Sequence, residues 1–163
     1  MDYNLDNRSM LRKVSDPWIF GQEDSHHIKH LMLNLMKQNN GIGIAANQIG
    51  INKQVFAMGS DIHQEMPKPF ILFNPKIVEH KGNKRKAIEG CLSYPNLWLE
   101  IERYTNLLVE YQDENGNFHN LELFDLASVC FQHELDHLSG ICFVDKVSKL
   151  KLQLAMKKLR KLQ

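Results

Sequence analysis

The chain has 163 residues, a formal net charge of +1 and 43% hydrophobic residues, which suits one ordinary soluble domain over residues 1–163 that needs no disulfide staples to fold. So balanced a charge gives no reason to expect a nucleic-acid surface, and specific DNA binding is not anticipated. No run of 18 apolar residues occurs, so no membrane span is expected; the three cysteines, Cys91, Cys130 and Cys142, form no C-x-x-C pair, which suits a reducing, cytoplasmic location.

Met1 to Arg12 mixes Asp2, Asp6, Arg8 and Arg12 among short apolar residues, so no secretory leader is read, and Asn7-Arg8-Ser9 is taken as a chance match to a glycosylation acceptor. Ile28, Leu31, Met32, Leu35 and Met36 recur at helical spacing and predict a helix from Ser25 to Gln38, capped by Asp24 or Ser25 and stopped at Asn39-Asn40-Gly41. His26, His27 and His30 near its start share the helix with that stripe and are read as solvent-facing. The glycine-rich passage through Gly41, Gly43 and Gly50 follows a helix instead of a strand and lacks a G-K-S/T ending, which disfavours a phosphate loop.

Strands are predicted at Gln54 to Met58, Phe70 to Phe73, Lys76 to Glu79, Leu99 to Arg103 and Leu107 to Gln112, with Asn74-Pro75 separating two of them. Asp113-Glu114-Asn115-Gly116 signals a reversal before a further strand from Asn117, so the pairing is expected to be antiparallel. Ser60 to Pro69 reads as a polar loop and Lys81 to Lys86 as a basic, solvated turn. Leu123 to Leu138 is nearly continuous in apolar residues and predicts a buried helix ended by Ser139-Gly140. The tail from Ser148 to Leu162 is amphipathic and basic, with Lys151, Lys157, Lys158, Arg160 and Lys161.

Within the buried helix, His133-Glu134-Leu135-Asp136-His137 is an H-E-x-x-H pattern. Four residues advance a helix by about 6 Å and just over one turn, so both imidazoles leave one face and can approach one ion, with Glu134 beside them to move protons. Four polar residues among five positions of an apolar segment are otherwise costly to bury. A catalytic site of this type usually has three protein ligands. Beyond His137 there is no further histidine and one acid, Asp145. Upstream, Glu89-Gly90-Cys91-Leu92-Ser93-Tyr94-Pro95 sets a cysteine beside a glycine and a proline-limited turn, making Cys91 the candidate third ligand.

These residues resemble the peptide deformylases across most of the chain. Three segments carry the resemblance: Gly41-Ile42-Gly43-Ile44-Ala45-Ala46-Asn47-Gln48-Ile49-Gly50, Glu89-Gly90-Cys91-Leu92-Ser93, and Gln132-His133-Glu134-Leu135-Asp136-His137-Leu138, in the family's order and at about its spacing, with Pro95, Arg103 and Gly140. The resemblance implies an α+β fold in which antiparallel or mixed β-sheets pack around a central H-E-x-x-H helix, with an N-terminal and a C-terminal helix. It implies Cys91, His133 and His137 as metal ligands and Glu134 as general base and acid. Gln48 and the backbone N–H of Leu92 are implied to meet the oxyanion, while the backbone of Gly43, Ile44 and Gly90 lines the substrate. Arg103 matches a position with a structural part. Asn47, where proline is common, and Trp98, where smaller or more polar residues are frequent, depart from the pattern.

The activity so implied is hydrolysis of the formyl group from N-formylmethionyl nascent peptides, with release of formate. Fe²⁺ is the implied cofactor, and Zn²⁺, Ni²⁺ or Co²⁺ can take its place. The substrate methionine is expected in an apolar pocket to which the Ile44 side chain contributes. A monomer is expected, and a transient ribosome contact through the basic C-terminal helix is weighed against a merely solvated helix end. The main alternative is a small H-E-x-x-H metallo-endopeptidase, which gives Cys91 no necessary role; an inactive metal-stabilised binding protein leaves Glu134 without a purpose.

Overall fold

In the computed structural model, which describes residues 9–161, helix α1 runs over Ser25–Gln38. Asp24 caps it by accepting the His27 N–H at 3.0 Å, satisfying one of the free donors of the first turn. Asp2, Asp6, Arg8 and the start of the Asn7-Arg8-Ser9 tripeptide lie outside the described residues. The strands are β1 (Gly43–Ala45), β2 (Val55–Met58), β3 (Phe70–Cys91), β4 (Tyr94–Gln112) and β5 (Phe118–Phe124), followed by helices α2 (Asp125–Leu138) and α3 (Lys149–Arg160). They form a five-stranded antiparallel sheet in the order β1-β2-β3-β4-β5. The expected α+β architecture is thus present.

Alternation along β2 and β3 explains why both faces of the sheet are covered. Val55, Ala57, Ile71 and Phe73 point to one side, into a core with Ile28, Met32 and Met36 of α1. Phe56, Met58 and Leu72 point to the other, into a core with Ala127, Phe131 and Leu138 of α2. Strand side chains alternate between faces, so a strand covered on both sides is apolar throughout; all four residues of β2 are buried. Phe56 and Phe131 meet edge to face at 5.2 Å, a favoured aromatic geometry, and truncating Phe131 to alanine is expected to cost about 3–5 kcal/mol. A third cluster joins Leu97, Leu99 and Ile101 of β4 to Phe143 and to Leu152, Ala155 and Met156 of α3.

The β3–β4 hairpin corrects two expectations. Asn74-Pro75 does not separate strands but lies inside β3, at a register shift where Asn74 takes φ 48°. Its side chain accepts from Trp18 N at 2.8 Å and donates to the Trp18 carbonyl and to Gln112. Lys81 to Lys86 is not a turn: Lys81 pairs with Asn106 and, past a further register shift, Lys84, Arg85 and Lys86 pair with Tyr104, Arg103 and Glu102. Local polarity suggests a solvated connection there, whereas the partner strand supplies hydrogen bonds that only the tertiary fold makes available. Asp113 to Gly116 reverses the chain as expected, with Gly116 N–H bonded to the Asp113 carbonyl at 3.0 Å.

Candidate active site and metal centre

Helix α2 is locked in rotation by side chains that reach β4. Gln132 Oε1 accepts from Tyr104 N at 3.1 Å, its Nε2 donates to the Tyr104 carbonyl at 2.9 Å, and Ser128 Oγ donates to that carbonyl at 2.8 Å. The opposite face of the helix then presents His133, Glu134 and His137 to Cys91, the last residue of β3. Cys91 Sγ lies 3.3 Å from His137 Nε2, the two imidazoles stand edge to face at 4.9 Å, and one donor atom from each of Cys91, His133 and His137 falls within 4.8 Å of the others. His133 and His137 are 7% and 1% exposed.

A thiol and two buried imidazoles aimed at one point fit a single divalent cation, the donor set being that of zinc, iron, cobalt or nickel sites. Burial alone lowers His133, but its hydrogen bonds to Cys91 and Glu89 outweigh that and hold it up at about 10; burial and the neighbouring charges of His133 and Arg103 push His137 well below its ordinary value. Metal binding to thiol and imidazole ligands in general displaces their protons.

Two polar residues of the H-E-x-x-H segment, His133 and Asp136, are tied to the strands by one network. His133 Nδ1 is 2.8 Å from Glu89 Oε2, and Arg103 closes a buried network, its Nε and Nη2 donating to Glu89 at 2.7 and 3.0 Å and its Nη1 to Asp136 at 2.5 Å. Lys146 reaches the other Asp136 oxygen at 3.0 Å. Burial raises the Glu89 carboxyl, yet its bonds to His133 and Arg103 prevail and hold it below the usual carboxylate range. Glu89 and Asp136 had no assigned role in the sequence reading. The signal was available: a ligating imidazole normally hands its other nitrogen to a carboxylate or carbonyl, and Glu89 stands two residues before Cys91.

Glu134 is 4% exposed and its Oε2 has no protein partner among the described residues. Burial pushes its carboxyl up to about 7. Gly43 lies hard against it: a Cβ at residue 43 would sit 2.3 Å from Glu134 Oε1 and 2.8 Å from Cys130 Sγ. Gln48, in the helical turn Ala46–Ile49, accepts from Ala45 N at 2.8 Å and turns its Nε2 toward Ser93 Oγ at 3.0 Å and Cys91 Sγ at 3.6 Å. Ser93, which carries no motif signal of its own, thus joins the site through Gln48.

These groups open on a cavity of about 660 Å³ whose walls include Gly43, Gln48, Gly90, Cys91, Leu92 and Glu134. Its apolar side is built by Leu126, Val129 and Cys130 of α2, with Ile88, Leu97 and Trp98. The Ile44 side chain does not contribute, against expectation; it is fully buried beneath α1. Asn47 is likewise fully buried, and its Nδ2 donates to the His137 carbonyl at 2.5 Å. The polar loop from Ser60 brings His63 to the cavity wall.

A family model for polypeptide deformylase matches residues 3–153. The chain belongs to the polypeptide deformylase family. Among curated relatives it is 40% identical to a peptide deformylase of Vibrio vulnificus over 82% of this chain and 78% of the relative. It is 36% identical to that of Rhizobium meliloti over 93% and 87%. Among solved structures it resembles the peptide deformylase of Synechococcus elongatus in complex with actinonin, with a TM-score of 0.87, 36% identity, and coverage of 98% of this chain and 87% of that one. As a deformylase with a Cys-His-His metal-binding site, it is a metal-dependent hydrolase that removes the formyl group from N-formylmethionyl peptides.

Proposed function

We propose that in this deformylase Cys91, His133 and His137 hold the ion, and that Glu134 is the general base and then the general acid. The observation that carries the assignment is the placement of Glu134, buried on the cavity side beside His133, with one carboxylate oxygen unpartnered among the described residues. When bound, the divalent ion supplies Lewis acidity that acidifies water and polarises the formyl carbonyl. Glu134 takes the proton of the attacking water and returns it to the departing amine nitrogen, a task suited to a carboxyl near neutrality. Gln48 is pre-oriented by its bond to Ala45 N, so its Nε2, with the backbone N–H of Leu92, is assigned to the oxyanion that forms at the formyl carbon. The backbone of Gly43, Ile44 and Gly90 is assigned to the bound peptide.

Fe²⁺ is the proposed working ion, with Zn²⁺, Ni²⁺ and Co²⁺ able to occupy the site. The Irving–Williams order favours zinc over ferrous iron, so the preference rests on resemblance to the family. The test is to prepare metal-free protein anaerobically, restore one ion at a time, and assay formyl-Met-Ala against its acetylated and unblocked forms. Fe²⁺ protein is expected to turn over fastest and on the formylated peptide alone, and Glu134→Gln to keep its metal while losing about 10²–10⁴-fold in rate. Equal turnover by the Zn²⁺ form defeats the iron assignment, and near-normal turnover by Glu134→Gln defeats the role of Glu134.

The remaining parts of the proposal are one domain over residues 1–163, a monomer, and a cytoplasmic location. No helix among the described residues is long and apolar enough to cross a membrane, and all three cysteines are free. Ribosome contact is assigned to the exposed Lys157, Lys158, Arg160 and Lys161 of the α3 end; salt-dependent cosedimentation that survives removal of residues 151–163 counts against it.

A further inference from the structure

A second cavity, of about 210 Å³, shares no wall residue with the cavity at the metal centre. Its wall includes Lys84 of β3, Glu102, Arg103 and Tyr104 of β4, Asp136 of α2, and Lys146. Pockets for drug-sized molecules run to about 300–1,000 Å³, so this one suits a smaller occupant. The hairpin explains its charge. A register shift between Lys81 and Lys84 bends the strand and re-aims the residues that follow. Lys84 then stands directly opposite Tyr104, its ammonium 5.0 Å from the centre of the ring. The other lysines of β3, Lys76, Lys81 and Lys86, each meet a carboxylate, those of Glu110, Glu122 and Glu100. Lys84 meets none among the described residues.

Counting donors decides what the cavity can take. A guanidinium carries five N–H donors and an ammonium three. Buried Arg103 directs three of them to Glu89 and Asp136, which leaves one N–H on each terminal nitrogen. Lys146 directs one to Asp136 Oδ1. Both Asp136 oxygens are thereby engaged, and the other carboxylate of the wall, Glu102, is exposed, where solvent and salt screen it. The unmet hydrogen-bonding capacity is one of donors, carried by cations on separate elements of the fold. An oxyanion with acceptors on several corners answers it through charge-assisted bonds; a cation does not. We infer that this cavity binds a small phosphoryl compound, free phosphate or a phosphate monoester, between Lys84, Lys146 and the remaining N–H groups of Arg103. The site goes beyond the hydrolytic reading and does not depend on what the metal cavity hydrolyses.

The experiment titrates zinc-loaded enzyme with inorganic phosphate and, separately, with methyl phosphate, followed by phosphorus NMR line broadening and by calorimetric Tm. Saturable binding with a Kd of about 1–10 mM is expected for a few charge-assisted bonds in water. At ten times that Kd the Tm is expected to rise by about 3–6 °C over sodium chloride at equal ionic strength. Lys84→Ala is expected to weaken binding about ten-fold, as for loss of one hydrogen bond to a charged group, while hydrolysing formyl-Met-Ala normally in phosphate-free buffer. Lys84→Arg keeps the cation and is expected to stay within about two-fold of the parent. Because phosphate can also meet the ion, the titration is repeated with the product peptide Met-Ala-Ser in excess, which is expected to leave the Kd unchanged. Tighter binding of methyl phosphate assigns the site to a monoester, and the reverse order to the free anion. Stabilisation that chloride matches, binding that Lys84→Ala leaves intact, or binding that the product peptide displaces overturns the inference.

Discussion

Glu89 and His133 meet through a 2.8 Å contact between Oε2 and Nδ1, which commits one imidazole nitrogen and leaves Nε2 for an ion. The same carboxylate takes two bonds from Arg103, whose third goes to Asp136 on the helix that carries His133. A strand residue, a neighbouring strand residue and a helix residue are thereby tied around the ligand.

Replacing Glu89 is expected to act on the ion before it acts on the fold. Glu89→Gln keeps the shape and weakens metal retention about 10- to 100-fold, the range for loss of a partner to a ligating histidine, measured by competition with a chelator. Glu89→Ala also strips the buried Arg103 of its bidentate partner, and a destabilisation of about 3–5 kcal/mol is expected in denaturant unfolding. Unchanged retention in Glu89→Gln would show that the contact does not tune the ligand.

Glu134 makes metal-free stability depend on pH. Its folded value of about 7 lies above the ordinary 4.5, so between these pH values the folded state keeps a proton that the unfolded chain has lost. Its contribution to stability is complete below about pH 4.5 and declines as pH rises through 7, by a total on the order of 3 kcal/mol. Metal-free Glu134→Gln is therefore expected to unfold at higher temperature than the parent at pH 8, with the gap closing toward pH 4.5. A gap that widens on acidification contradicts the sign.

Gly43→Ala tests the close approach of β1 to α2. The added methyl would stand 2.3 Å from Glu134 Oε1, so the carboxylate must move by about an ångström, and displacement on that scale costs about 10²-fold in rate. The expected result is a kcat loss approaching that of Glu134→Gln, with metal content retained. Normal kcat would mean that the carboxylate has slack on the side facing Gly43.

Asn47→Ala removes the donor to the His137 carbonyl. That carbonyl still accepts from Gly140 N at 3.0 Å, and Asn47 Oδ1 is already unpartnered among the described residues. The cost is then about 1 kcal/mol, near the net value of one hydrogen bond and not that of a stranded acceptor. It corresponds to about 2–4 °C in Tm for a chain of this size, read by calorimetry on the metal-loaded protein; a drop of ten degrees or more would mean that Asn47 carries more of the α2 end than its bond to His137.

The sequence by itself determined α1, the reversal at Asp113 to Gly116, the buried helix α2 and the pairing of His133 with His137, because each depends on period, capping or turn residues within a few positions. The lack of a third ligand beyond His137 pointed upstream to Cys91, and resemblance to a family added Gln48 to the same site. Tertiary structure alone decided what the intervening residues do. Lys81 to Lys86 became strand because β4 pairs with it, and Ile44 turned from the cavity into the core under α1. Asp136 joined Glu89 through Arg103, and Trp98 came to rest on Gly90. In each case the partner is distant in sequence or belongs to another element. Local propensity cannot rank such contacts, since their free energy exists only when the partner group is already in place.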